Sequence, residues 1–212
     1  MKPYDLCVVT TTYLDAYDGC FNPYYRLGLF LDEIASMRHL DCGRLKVCWL
    51  IYDDGSPQFP AMPAMPFDTE LHLLRNVGWV RNSVRACARA CELSGWVLNL
   101  DSDGLIARDA IGRATSLIAQ FPNAPAYGLF NTPYHHTLET HADHVLKQSI
   151  PEHGLLFRSQ DYRTDMGDNF PLFARLKPNG SGYPVLRPSG IQHTGKVGVN
   201  STEDDEDLEF KL

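Results

Sequence analysis

Short apolar runs alternate along the chain with longer segments whose apolar residues recur every three or four positions. The runs cover residues 6–9, 46–52, 71–74 and 96–100, and each one ends at polar or turn-forming residues. Apolar runs of this length, with β-branched residues inside them and turn signals at their ends, are typical of buried strands. We therefore predict four strands in the first half of the chain.

Helical periodicity fills the intervals between these strands. The first predicted helix covers about residues 23–39, with Asn22 as its N-cap and Pro23 at its first position. Its apolar face is formed by Leu27, Phe30, Leu31, Ile34 and Met37. A second helix follows the third strand, and a third helix covers about residues 110–121.

The alternation of strands and helices predicts an α/β fold with a mostly parallel central sheet flanked by helices. The chain has 212 residues, a length that fits a single domain. We expect that domain to cover residues 1–200. The acidic run at 201–212 is expected to be a solvated, disordered tail.

Charge and composition exclude several classes of protein. Acidic residues outnumber Lys and Arg by 26 to 19, which argues against a general binder of nucleic acid or anionic membranes. No apolar run approaches the roughly 20 residues that span a bilayer, and the N-terminal run is short for a secretory signal. The six cysteines lack a C-x-x-C pair and are expected to be buried thiols. We therefore expect a soluble, cytoplasmic protein.

Polar clusters follow three of the predicted strands. They lie at residues 10–12, 53–56 and 101–103. In parallel sheets, ligands bind outside the carboxyl ends of the strands, so we expect these clusters to form one candidate site. The chain has no G-x-G-x-x-G after the first strand and no P-loop motif, which argues against a standard dinucleotide-binding fold and a P-loop NTPase.

Two of these clusters contain pairs of carboxylates. Asp101 and Asp103 are two positions apart at a strand end, where both could reach one divalent cation, Mn²⁺ or Mg²⁺. Such a cation can bridge the phosphates of a nucleotide diphosphate. Asp53 could accept a hydrogen bond from a base or a ribose. Each cluster could instead be an ordinary turn, because Asp, Ser and Gly all favour turns.

The order of these segments resembles the GT-A-type nucleotide-sugar-dependent glycosyltransferases, particularly family 2. The matching segments are residues 8–13 (VVTTTY), 52–56 (YDDGS), 75–82 (RNVGWVRN) and 98–103 (LNLDSD). They have the order and spacing of the family over roughly the first 110 residues. The last of them corresponds to the family's D-x-D motif.

The resemblance implies a single GT-A-like, Rossmann-like domain with a nucleotide-binding half at about 1–110 and an acceptor-binding half at about 111–200. It implies metal-dependent transfer of a sugar from a nucleoside-diphosphate sugar, UDP-linked by preference, to a hydroxyl of a glycan or another acceptor. Inversion at the sugar carbon is the expected outcome, with retention as the alternative. The chain could also be one domain of a longer polypeptide.

The resemblance also assigns candidate binding residues. The expected nucleotide-sugar contacts are Thr10, Thr12, Asp53, Arg75, Arg81, Asp101, Ser102 and Lys196. The expected metal ligands are Asp101, Asp103 and His193. A neutral imidazole is a competent ligand for Mn²⁺, and a lysine adds positive charge beside a leaving phosphate. A lone histidine is more often structural, so this alternative stays open for His193.

A catalytic base is expected in the second half of the chain. Residues 167–170 (GDNF) resemble the acidic helix segment that carries the base in inverting members, although Gly167 replaces the usual Glu. Asp168 is the first candidate, at the start of a helix that would bury Leu172 and Leu176, and Asp165 is the second.

Two other functions remain open from the sequence. A sugar-1-phosphate nucleotidyltransferase has a similar α/β layout, but its Gly-rich loop after the first strand is replaced here by residues 12–18 (TYLDAYD). A non-catalytic module that binds sugar nucleotides or glycans is the other alternative, and the intact acidic motifs argue against it.

Overall fold

The computed structural model describes residues 2–14, 25–166, 172–176 and 180–194. Several sequence predictions lie outside these ranges. They are the N-cap at Asn22 and Pro23, the candidate base Asp168, the phosphate contact Lys196 and the acidic tail.

Within the described residues, strands and helices alternate as predicted over the first half of the chain. In chain order the elements are β1 (Tyr4–Thr12), α1 (Tyr25–Arg38), β2 (Val47–Asp53), β3 (Asp68–Leu73), α2 (Trp79–Leu93), β4 (Ser94–Asp101), β5 (Gly104–Ile106), α3 (Ala110–Gln120), β6 (Ala126–Gly128), β7 (Thr137–Thr140), β8 (His144–Lys147), β9 (Leu155–Arg158), β10 (Tyr183–Leu186) and β11 (Ile191–His193). None of the helices in this part of the chain is long and apolar enough to cross a membrane.

Nine of these strands form one sheet in the order β3-β2-β1-β4-β9-β6-β10-β8-β7, and β5 pairs with β11 in a second, two-stranded sheet. The strands β3, β2, β1 and β4 are all parallel, as the βα alternation predicts. Beyond β4 the sheet is mixed, because β9 is antiparallel to both β4 and β6. The tight β7–β8 hairpin adds another antiparallel pair, since a parallel crossover needs a longer connection. The predicted α/β class is confirmed.

The helices cover opposite faces of the parallel half of the sheet. Along β1, Leu6 and Val8 point to one face and Cys7 and Val9 to the other, the period of two expected for a strand. The first face packs against α1 and α3, and the second against α2. The central strands β1, β2 and β4 are thus buried on both sides, which is why each contains an apolar run rather than an alternating pattern. The sequence predicts a buried third strand, but β3 is an edge strand whose residues are mostly exposed.

The expected helix around Leu172 is only partly recovered. Leu172 and Leu176 are both buried, as predicted. The residues between them, however, form a single 3-10 turn at Phe173–Arg175. The helical hydrogen bonds end there because the backbone of Leu176 is extended.

Candidate functional site

The polar clusters meet at the carboxyl edge of the parallel strands. In the β1–β2 pair Thr12 lies opposite Asp53, and in the β1–β4 pair Thr11 lies opposite Asp101. The prediction that the three clusters share one edge is therefore confirmed by the strand register. This edge also receives the end of the two-stranded sheet, since β5 follows β4 after only two residues.

Asp103 and His193 are brought together by the pairing of β5 with β11. His193 lies opposite Gly104 in that pair, and its Nε2 is 3.0 Å from Oδ2 of Asp103. The carbonyl of Asp103 accepts hydrogen bonds from the backbone N–H and the hydroxyl of Thr194, at 2.9 and 2.7 Å. The two predicted metal ligands are thus neighbours, although they are far apart in sequence.

The charge of Asp103 is set by two opposing effects. Burial alone would raise its pKa, but the hydrogen bond and the charge of His193 outweigh burial and lower the pKa below its ordinary value. The carboxylate therefore stays ionised at neutral pH. An ionised carboxylate beside an imidazole is a suitable pair of ligands for a borderline cation.

The donor set of this edge fits a hydrated Mn²⁺ or Mg²⁺. The side chain of Asp101 is 48% exposed, that of Asp103 26% and that of His193 15%. No group of three or more His, Cys, Asp or Glu side chains among the described residues already converges as a metal site. The residues present therefore fit a cation that keeps waters or phosphate oxygens in its shell rather than one enclosed by protein.

One residue at this edge has no counterpart in the sequence prediction. His153 accepts a hydrogen bond at Nδ1 from the backbone N–H of Asp101, at 3.1 Å. Its ring also lies edge-to-face against those of Phe130 and His193, with centroid distances of 5.2 and 5.3 Å. No sequence signal marks His153, because only the antiparallel pairing of β9 with β4 brings it to the carboxyl edge.

Glu152 is a second residue of this edge that the sequence prediction missed. Its Oε1 accepts the backbone N–H of Phe173 at 3.1 Å, which ties the 3-10 turn to the edge of the sheet. Burial, and then the negative charge of Asp101, raise the pKa of Glu152. This carboxyl group therefore connects the backbone just before β9 to the segment that follows the candidate base Asp168.

Thr10 is a core residue. Its side chain is fully buried, its hydroxyl donates to Oε1 of Glu33 at 2.6 Å, and its oxygen accepts from the indole N–H of Trp49 at 2.9 Å. The predicted nucleotide contact of Thr10 is not supported, because these two bonds use the hydroxyl inside the protein. Thr12 is also buried, and its hydroxyl has no partner in the described residues.

The carboxylate of Asp53 shapes a turn. Its oxygens accept the backbone N–H groups of Gly55 and Ser56, at 3.2 and 2.8 Å, and the hydroxyl of Ser56. The Ser56 hydroxyl oxygen in turn accepts the N–H of Leu14 at 2.7 Å. The turn alternative is therefore what the structure shows, and a direct contact of Asp53 with a base is not supported.

Asp54 fixes the start of α2. Its two carboxylate oxygens accept the N–H groups of Val77 and Gly78, at 2.7 and 3.0 Å. Gly55 has a positive φ of 87°, and a Cβ there would lie 2.9 Å from the backbone nitrogen of Asn76. The acidic turn thus packs directly on the segment that leads into α2.

The remaining predicted nucleotide contacts lie where they could meet a ligand. Arg75 is exposed before α2, Arg81 is exposed in its first turn, and Ser102 is half-buried between the two aspartates. Their roles stay predictions.

Asp165 forms a surface ion pair. Its oxygens accept from Nε and an Nη of Arg163 at 3.2 and 3.0 Å, and both side chains are largely exposed. The hydrogen bond from Arg163 lowers the pKa of Asp165, which makes it a weak base near neutral pH. The second candidate base is therefore disfavoured, while Asp168 lies outside the described residues.

The parallel β3-β2-β1-β4 strands carry acidic residues at their carboxyl edge, and a similar α/β fold is found among solved structures. The crystal structure of residues 1–349 of S. aureus TarS has a similar fold, with a TM-score of 0.52 and 13% identity, over 88% of this chain and 59% of that chain. Its complexes with UDP-GlcNAc and with UDP are also similar, each with a TM-score of 0.47, at 13% and 14% identity, over 73% of this chain and 45% and 47% of theirs. The chain therefore spans only part of the length of each of these structures. No protein-family model and no curated protein sequence matches the chain.

Proposed function

We propose that this chain transfers a sugar from a nucleoside-diphosphate sugar to a hydroxyl acceptor, and that the reaction depends on a divalent cation. The observation that carries the proposal is the contact of Asp103 with His193, beside Asp101, at the carboxyl edge of a GT-A-type sheet. Ligands of such sheets bind at this edge, and the ligand types suit a cation that a diphosphate would share.

The cation would be held by Asp103 and His193, with Asp101 as a further ligand through its half-exposed carboxylate. When bound, it would neutralise the charge that develops on the departing diphosphate. Arg75, Arg81 and Lys196 are the cationic side chains proposed to contact the nucleotide or its phosphates. Asp54 acts indirectly, because its carboxylate holds the N–H groups of Val77 and Gly78, between Arg75 and the first turn of α2 that carries Arg81. Asp53 acts through the turn that it closes with Gly55 and Ser56.

The acceptor hydroxyl needs a base on the face of the sugar opposite the leaving group if the reaction inverts. Asp101 and Asp103 are committed to the cation, and Asp165 is paired with Arg163. We assign this role to Asp168. The proton would pass from the hydroxyl to its carboxylate as the sugar–oxygen bond forms.

Release of UDP tests the proposal. The protein is incubated with UDP-sugars and an acceptor panel, with Mn²⁺ and with a chelator, and UDP-GlcNAc is the first donor because TarS has been crystallised with it. We expect turnover with Mn²⁺, loss with the chelator, and loss in Asp103→Ala. Asp68→Asn is the matched control, since Asp68 lies at the opposite end of the parallel strands. UDP binding without turnover in any donor and acceptor combination would point instead to a non-catalytic binding module.

A further inference from the structure

The segment before β9 is fixed to the end of β4 on both sides of His153. The backbone N–H of Gly154 donates to the carbonyl of Asn99 at 2.8 Å. The side-chain amide of Asn99 donates in turn to the carbonyl of Glu152 at 2.9 Å. His153 therefore projects from a backbone that cannot slide relative to the Asp101 turn without breaking both bonds.

The imidazole of His153 fills a space that glycine leaves open. A Cβ on Gly104 would lie 2.5 Å from Cε1 of His153 and 3.1 Å from its Nε2. The rings of Phe130 and His193 close two other sides, and the side chain is only 7% exposed. The ring is therefore enclosed and acts on a ligand only through the groups that it contacts.

The hydrogen bond to Asp101 fixes the tautomer of His153. Nδ1 accepts the backbone N–H of Asp101, so it carries no proton, and the proton of the neutral ring lies on Nε2. Nε2 is buried without a partner in the part of the chain that the structure describes. The Asp101 carboxylate is farther from Nδ1, at 3.5 Å, and half-exposed. His153 thus holds the main chain of Asp101 and leaves the carboxylate available.

We propose that His153 is a positioning residue of the candidate site. It holds the turn between Asp101 and Gly104 through the Asp101 N–H, and it supports the ring of His193 from behind. Asp103 and His193 then stay in contact beside the Asp101 carboxylate. This inference rests on the proposed function where it concerns sugar transfer, but the tautomer and the turn do not depend on that function.

Three substitutions of His153 distinguish the role of Nδ1 from that of Nε2. His153→Asn can place its amide oxygen near the position of Nδ1 and still accept the Asp101 N–H. His153→Gln places its amide near the position of Nε2, and His153→Ala replaces neither nitrogen. Thermal unfolding of all three variants identifies any that have lost the fold.

The readouts are Mn²⁺ affinity, measured with the metal alone by titration, and UDP release. We expect His153→Ala and His153→Gln to lose about 10- to 100-fold in both, the usual effect of removing a group that orients a metal ligand. His153→Asn should recover most of that loss. Recovery by His153→Gln but not by His153→Asn would overturn the proposal, because Nε2 would then be the working nitrogen. Wild-type values in folded His153→Ala would also overturn it.

A measurement on the ligand-free protein keeps this inference separate from the proposed function. Nitrogen-15 NMR of the histidine rings should show His153 with its proton on Nε2. His144 is the internal reference, because its Nδ1 lies 2.8 Å from a carboxylate oxygen of Asp143 and must donate to it. A proton on Nδ1 of His153 would refute the positioning role. If the protein released no UDP from any donor, the proposed function would fail, while the tautomer and the Mn²⁺ titration would still decide the inference.

Discussion

Thr10 donates its hydroxyl hydrogen to Oε1 of Glu33 at 2.6 Å in the interior of the protein, directly beneath the acidic edge of the sheet. The other oxygen, Oε2, has no partner within the described ranges. Burial, opposed only in part by the Thr10 hydrogen bond, raises the pKa of Glu33 well above its ordinary value of 4.5, and the charges of Asp103 and Asp101 raise it further. The core therefore favours a neutral carboxyl group at this position.

This shift predicts how Glu33→Gln changes stability with pH. An acid whose pKa is raised by folding contributes its full stability below its unfolded pKa and loses it as the pH rises through the folded pKa. The stability of Glu33→Gln relative to wild type should therefore increase as the pH rises from the ordinary carboxyl pKa of 4.5 toward the raised folded pKa, by up to about 1.4 kcal/mol per pH unit. Urea unfolding across this range measures it. Glu92→Gln, at an exposed position of α2, is the control, and a flat or falling difference for Glu33→Gln would contradict the prediction.

Two glycines give a matched pair of alanine substitutions. In Gly104→Ala the new Cβ would meet the His153 ring at 2.5 Å and Leu100 at 2.8 Å. The ring cannot withdraw, because Phe130 and His193 enclose it. We expect a loss of about 1–3 kcal/mol in unfolding free energy, together with weaker Mn²⁺ binding.

Gly112→Ala should have the opposite effect. Gly112 lies inside α3, and a Cβ added there would meet no atom within 4 Å, so alanine adds no contact and reduces the freedom of the unfolded chain. We expect a gain of about 0.5–1 kcal/mol and unchanged Mn²⁺ binding. Equal stability changes in Gly104→Ala and Gly112→Ala would show that the space beside His153 is not tightly filled.

The parallel half of the fold could be predicted because its central strands β1, β2 and β4 contain apolar runs that end in polar residues. Strand β2, for example, is buried at every position from Val47 to Asp53, and its sequence shows this directly. The edge strand β3 has no such run over its whole length, and it begins at Asp68, before the predicted residues 71–74. The position of Asp103, two residues after the end of β4, could be predicted from the apolar run of β4 in the same way. Sequence spacing therefore located the edge of the sheet where the candidate site lies.

The detailed roles at that edge could not be predicted, because they depend on hydrogen bonds between distant segments. Asp53 and Asp101 have the same pattern in the sequence, yet one carboxylate closes a turn and the other is half-exposed. His153 joins the site only through the antiparallel β4–β9 pair, whose partners are remote along the chain. Neither distinction is encoded in local periodicity.

Removal of the Asp54 carboxylate should destabilise the fold. Asp54→Ala leaves the N–H groups of Val77 and Gly78 without their acceptor at the start of α2. A hydrogen bond to a charged group contributes about 1.5–3 kcal/mol, and we expect a loss in at least that range by chemical unfolding. Asp68→Asn, which alters an exposed carboxylate at the first residue of β3, should change stability much less. A loss no larger than that of this control would mean that the Asp54 bonds do not hold the segment.

The last prediction concerns the base. Asp168→Asn should retain Mn²⁺ and UDP binding but reduce sugar transfer by roughly 10²- to 10⁴-fold, the usual contribution of a positioned base. Asp165→Asn is the matched control, because its carboxylate is exposed and paired with Arg163, which lowers its pKa. Transfer by Asp165→Asn should stay near the wild-type rate. Single-turnover rates of UDP release, measured with saturating donor, separate the chemical step from binding. If Asp165→Asn lost transfer while Asp168→Asn kept it, the role would move to Asp165, and normal transfer by both variants would argue against an inverting reaction with a base in this segment.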